Sequence, residues 1–278
     1  MRNFILNIVF FYSTILSFGQ TTYTGFIDKY PIELLINDTN YDGQVNAVYC
    51  YSNYDEPINL SGNLKTGKLN LFEKDSKEKN TASLKFEDFS RTKDNLEGIW
   101  TDLKTEKSLN IKLTKSTDSD FGIMQPISLP NKYFRLIISG SSSDVGIKIF
   151  EKKTDKLLQK FNVDCQFWGL NNINVDDFNF DGINDFSVFE SSYAGPNTSH
   201  LYFLYNPKTK KYFESSFSGT SLEFDAVKKQ INETNQCCAG SSIMQATYKV
   251  VKNNMVLIKT NCLKYDEKKQ EHVKVKCD

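Results

Sequence analysis

Histidine is almost missing from this chain: 278 residues contain 2. That leaves little for zinc sites built on imidazole or for proton transfer near neutral pH. A surplus of either charge is missing too, since 34 Lys and Arg balance 34 Asp and Glu, so no nucleic acid or other polyanion is an evident partner. With 14 Gly and 6 Pro, the composition also lacks the bias of collagen or low-complexity segments. GxSxG, HExxH, GxxxxGK[ST] and GxGxxG are absent, as is the CxxC spacing of a structural zinc site. What remains, 39% hydrophobic and 13% aromatic residues, is enough for a packed core.

One apolar run stands apart. Residues 1–19 carry a single early Arg2, an apolar stretch from Phe4 to Leu16, and small residues Ser17 and Gly19, the pattern of a signal peptide cleaved after Gly19. A periplasmic or secreted protein is expected, without a lipid anchor because no Cys sits at that junction. No later charge-free window reaches the ~20 residues of a spanning helix, so an integral membrane protein is not expected. In an oxidising compartment, Cys50, Cys165, Cys237, Cys238, Cys262 and Cys277 are candidates for pairing. A two-residue turn at Lys269-Gln270 would set Cys262 opposite Cys277. The competing pairing joins Cys237 or Cys238 to Cys262 or Cys277.

From Thr21 to Ser116 the chain falls into eight short runs, TGFI, IELLI, VNAVYCY, INLSGNL, KLNLFE, SLKFEDF, LEGIW and SLNIKL. Several alternate apolar and polar residues at the period of a half-buried strand. Turn-type clusters such as KTG and RTKDN separate them. The spacing predicts an antiparallel eight-stranded barrel or sandwich over residues 20–116. A polar patch with Pro126 and Pro130 is read as the boundary, and residues 117–278 as a second β domain. There, hairpins at 151–156, 206–211 and Asn253-Asn254 suggest the radial sheets of a small β-propeller-like domain or an irregular sandwich. FDAVKKQI, 224–231, fits a short helix or a strand.

Within that second domain lies DFNFDGIND, residues 177–185. Asp177, Asn179 and Asp181 fall at alternate positions from which oxygen atoms can converge, Gly182 permits a sharp turn, Ile183 offers a backbone carbonyl and Asp185 closes the set. Oxygen donors without His or Cys select Ca2+ over zinc or copper. Val188 stands where a helix-loop-helix site needs Glu, so a strand-loop-strand calcium site is expected. An ion there would order the next hairpin and the turn-rich stretch Ser191–Ser199. Tyr193, Gly195 and Asn197 in that stretch are the partner-binding candidates, Tyr193 as an aromatic anchor. Trp100 and Trp168, each among apolar neighbours, are expected in the core. The acidic residues Glu87, Asp88, Asp118 and Asp120 fall in turns or strand ends.

The order of VDDFNFDGINDFSVFESSYAGPN, LYFLYNPKTKKYFE, LEFDAVKKQI and the adjacent cysteines over residues 130–278 resembles a bacterial family of exported calcium-binding immunity proteins. That family looks like β-propeller-type inhibitors of lysozyme-like peptidoglycan hydrolases delivered by type IV secretion. The resemblance implies calcium ligands at Asp177, Asn179, Asp181 and Asp185, an inhibitory loop near Tyr193, and a hydrolase as protein partner. The expected function is a binding protein without turnover. A carbohydrate- or surface-binding module, with aromatics stacked on sugars, is the alternative. A hydrolase using a hidden carboxylate pair is a third reading.

Overall fold

Leu69 and Leu71 are buried while Asn70 between them is half-buried, and the same two-residue period recurs around Ile111 and Leu113. The computed structural model of the chain describes residues 20–37, 42–52, 56–116, 122–138, 144–166, 170 and 172–277. The expected signal peptide, residues 1–19, and Trp168, Asp118 and Asp120 lie outside the described residues.

The first strands are β1 (Gln20–Ile27), β2 (Tyr30–Asn37), β3 (Gln44–Tyr51), β4 (Ile58–Lys65), β5 (Lys68–Lys74), β6 (Asn80–Phe86), β7 (Asn95–Asp102) and β8 (Ser108–Lys115). They pair in sequence order, and β8 returns to β1, which closes a barrel and leaves no free edge. The KTG connection is a two-residue turn with Thr66 at φ 47° and Gly67 at φ 80°, the left-handed pair that suits strand twist. At the closing seam Gly25 pairs with Leu113, and a Cβ there would fall 2.2 Å from the Lys112 carbonyl oxygen. Tyr23, Leu34, Leu69, Leu84 and Leu113 fill the interior. Trp100 packs on this core as expected, its indole N–H donating to Glu73 at 2.7 Å.

Three antiparallel sheets follow. The first holds β9 (Ile123–Leu129), β10 (Lys132–Ile138), β11 (Asp144–Glu151) and β12 (Leu157–Asp164). The second holds β13 (Ile173–Asp176), β14 (Asp185–Ser192), β15 (Thr198–Asn206) and β16 (Lys211–Glu214). The third holds β17 (Leu222–Asp225), β18 (Gln230–Cys237), β19 (Ser242–Val251), β20 (Asn254–Asp266) and β21 (Glu271–Val275). Each is an antiparallel meander, and neighbouring sheets pack face to face. Phe134, Leu136 and Ile147 of the first sheet share a core with Phe186, Val188 and Phe203 of the second. On the second sheet's other face, Tyr202 and Leu204 meet Ile231 and Phe224 of the third.

Where the structure departs from the sequence reading, the cause is local. β9 contains Pro126 and was expected to be linker. It is an edge strand with a register shift opposite Tyr133 and Arg135, a position where a missing N–H is tolerated. The tight turn is Lys252–Asn253, at φ 49° and 61°, one residue earlier than expected. FDAVKKQI is neither helix nor single strand: Asp225 and Gln230 face each other across a turn. Among the described residues, no helix is long and apolar enough to cross a membrane.

The barrel docks on the first sheet. Leu35 and Val48 on its outer surface pack with Leu170 and Ile123, and Arg135 donates to both carboxylate oxygens of Glu33 at 2.8 and 2.5 Å. Burial works against the Arg135 charge, but the hydrogen bonds and charge of Glu33 outweigh it and hold the guanidinium pKa above its ordinary value. Lys152, also buried, bonds Glu56 and Ser128.

Candidate functional site

The segment 177–185 links β13 to β14. Asp177 accepts from the Asp181 and Gly182 amides at 3.0 and 2.7 Å, Asn179 accepts from Asp181 at 3.1 Å, and Asp181 accepts from Ile183 at 2.9 Å. These bonds wrap the loop about its side-chain oxygens, helped by Phe180 and Gly182 at φ 63° and 88°. A carboxylate has about four acceptor sites, so one or two amide bonds leave capacity for an ion. Asn179 also reaches the third sheet, donating to Asn253 at 3.1 Å.

Asp185 sits differently from its neighbours. It is 0% exposed, and its oxygens accept from the Tyr205 and Phe178 amides at 2.7 and 3.1 Å, which joins the loop entry to β15. Burial pushes its carboxyl up to about 7; Asp181 and Asp177 add to the rise, and the two amides oppose it. The repulsion among the carboxylates, smaller than the effect of burial, is of the kind a divalent cation would relieve. Among the described residues, no three His, Cys, Asp or Glu side chains form a metal-holding group, so carboxylates alone do not complete a shell here. The Asn179 amide oxygen and backbone carbonyls, Ile183 among them, are the further donors such a shell needs.

The loop does not adjoin the Tyr193 turn, contrary to the expectation that an ion would order both. Asp185 begins β14 and Tyr193 follows its last residue, so eight residues of strand put them roughly 25 Å apart. The Tyr193 turn is instead held from the third sheet. Asn197 is 7% exposed; its amide donates to the Gln236 carbonyl at 2.7 Å and its oxygen accepts from the Gln236 N–H at 3.1 Å. Tyr193 donates its own N–H to the Asn197 carbonyl at 2.9 Å, and its hydroxyl lies 3.1 Å from that of Ser199. The ring remains 52% exposed. Gly195 lies exposed at the tip, at φ 74°. Asn197 therefore positions the turn, while Tyr193 and Gly195 present surface.

Facing this turn across a cleft of about 870 Å³ is the β18–β19 connection, Cys237, Cys238, Ala239 and Gly240. Both of its thiols are exposed. Cys262 and Cys277 form a disulfide, the first of the two expected pairings, with Cα atoms 5.2 Å apart. The register differs from expectation, because the hairpin turn spans 267–270 and Cys262 faces Val275. Cys50 and Cys165 are buried.

A second cleft, about 1200 Å³, runs between β1, β8 and the first sheet, with Thr24, Glu33, Lys112 and Leu136 among its walls. Its buried carboxylate is the Glu33 already bound to Arg135. Glu87 and Asp88 are exposed and paired with Lys68 and Lys93.

No family model matches the chain, and no curated protein matches it. Among solved structures it is similar to the β-propeller domain of the Trilobed protease from Pyrococcus furiosus, described as having an open velcro topology. The identity is 10%, the coverage 92% of this chain and 71% of that one, and the TM-score 0.25.

Proposed function

We propose that the chain is an exported binding protein of the immunity type, which blocks a lysozyme-like peptidoglycan hydrolase without turnover and is stabilised by calcium. The observation that supports this reading is Tyr193: an exposed ring on a turn clamped by Asn197, at the rim of a cleft. A fixed aromatic offers contact area and a hydrogen bond at small entropic cost. Asp177, Asn179, Asp181 and Asp185, with the Ile183 carbonyl, would hold the ion. Its charge would offset the repulsion among the carboxylates and steady the loop against Asn253. Because that loop lies at the far end of β14, calcium acts on the stability of the fold and not on the contact surface.

The test is inhibition of peptidoglycan hydrolysis by a panel of lysozyme-type enzymes, with wild type and Tyr193→Ala, each with calcium and with chelator. Wild type should inhibit at least one enzyme, Tyr193→Ala should weaken inhibition about tenfold or more, and chelation should lower the melting temperature more than the affinity. If wild type captures and inhibits none of the panel, the reading loses its ground.

The barrel favours a second reading. Phe26 and Tyr30, at 50% and 45% exposure, stand near the β1–β2 turn as a surface on which sugars can stack. Glycan-array binding abolished by Phe26→Ala and Tyr30→Ala, and indifferent to Tyr193→Ala, would select it.

A further inference from the structure

β18 ends on Cys237, and the chain turns through Cys238, Ala239 and Gly240 at φ of 58°, 55° and 84°. Three left-handed residues in succession are costly for all but glycine. The two cysteines are consecutive, at the point where the strand ends and this tight turn begins. Both are exposed on one wall of the Tyr193 cleft. The same sheet carries the disulfide Cys262–Cys277, whose Cα separation of 5.2 Å is ordinary. Neighbouring Cα atoms across a trans peptide are only ~3.8 Å apart, below the usual disulfide range, so a bond between adjacent cysteines is the more easily reduced of the two.

We propose that Cys237 and Cys238 form a dithiol/disulfide couple that exchanges with small disulfides of the glutathione class, and that its state sets the shape of one cleft wall. The adjacent Cys237 sulfur holds the Cys238 thiol above its ordinary pKa, which leaves Cys237 as the first attacking sulfur. Its thiolate attacks one sulfur of the small disulfide, forming a mixed disulfide and releasing one thiolate. Cys238 then gives up its proton and attacks the Cys237 sulfur, closing the intrachain bond and releasing the second thiolate. Two protein thiols are oxidised, one small disulfide is reduced to two thiols, and the released thiolates take up the protons. The couple is independent of the partner reading, and its test is chemical, so the two stand or fall separately.

The folded chain is equilibrated over graded ratios of oxidised to reduced glutathione, quenched by alkylation and mapped by peptide mass. The peptide spanning Cys237 and Cys238 should pass from two alkylated thiols to an unalkylated form two hydrogens lighter, across ratios at which Cys262–Cys277 stays intact. Cys238→Ser, lacking the resolving thiol, should accumulate a glutathione adduct on Cys237. A wild-type peptide that carries mainly the adduct overturns the proposal. So do bonding of either thiol to Cys262 or Cys277, and alkylation of both at the most oxidising ratio with circular dichroism unchanged.

Discussion

At the scale of the residue, side chains named for one task turn out to have another. Asp185 was a candidate ligand; its oxygens also hold the Phe178 and Tyr205 amides in a site with no solvent. Asp185→Ala should leave two buried donors unsatisfied and cost ~1–3 kcal/mol each, readable in a denaturant melt with chelator present. Tyr193→Ala, at an exposed ring, should stay within ~0.5 kcal/mol of wild type. His200 supplies the pH signal: burial holds its pKa below the ordinary 6.5, against the pull of Glu190. A depressed imidazole gives stability that is full above the unfolded value and lost as pH falls through the folded one. His200→Gln should therefore lose less stability than wild type between about pH 7.5 and pH 5, checked by thermal midpoints. The 177–185 turn, with its side-chain oxygens bonded to its own amides, was readable because those residues lie close together in sequence. The Asn197 clamp was not, since its partner Gln236 lies 39 residues away.

At the scale of the element, alternation carried the reading of the barrel, and its failures are instructive. β18, Gln230–Cys237, gave no strand signal because only Ile231 is a buried apolar residue in it. Its other inward side chain is Glu233, 7% exposed, which accepts from the Thr220 amide and the Tyr248 hydroxyl at 2.9 and 2.6 Å. A strand held by polar pairing has no hydrophobic period to find. The hairpin β20–β21 was legible from its cysteines, although the turn proved longer than the expected two residues. Its disulfide closes a sequence separation of 15, for which chain-entropy arguments give ~3 kcal/mol. Cys262→Ala with Cys277→Ala should lower stability by about that amount, and reduction of the wild type should reproduce the loss.

At the scale of the whole molecule, the barrel core draws only on residues between Tyr23 and Leu113, so residues 20–116 should fold alone, with a cooperative melt as the check. The joint to the first sheet depends on long-range pairing that no local pattern announces. Glu33→Ala would strand the Arg135 charge, at 1% exposure, and such a loss costs ~3–5 kcal/mol. Replacing both Glu33 and Arg135 with apolar residues of similar volume should restore most of it. A double-mutant cycle measures the difference.

The sheets are stacked in a row, the second sharing one core with the first and another with the third. In such a row, a unit at the end leans on one neighbour only, and opening is easiest there. Backbone amides should exchange with deuterated solvent earliest in the last sheet and latest where the barrel meets the first, a gradient running backwards along the chain. The cystine linking the final two strands lies where that unzipping would begin.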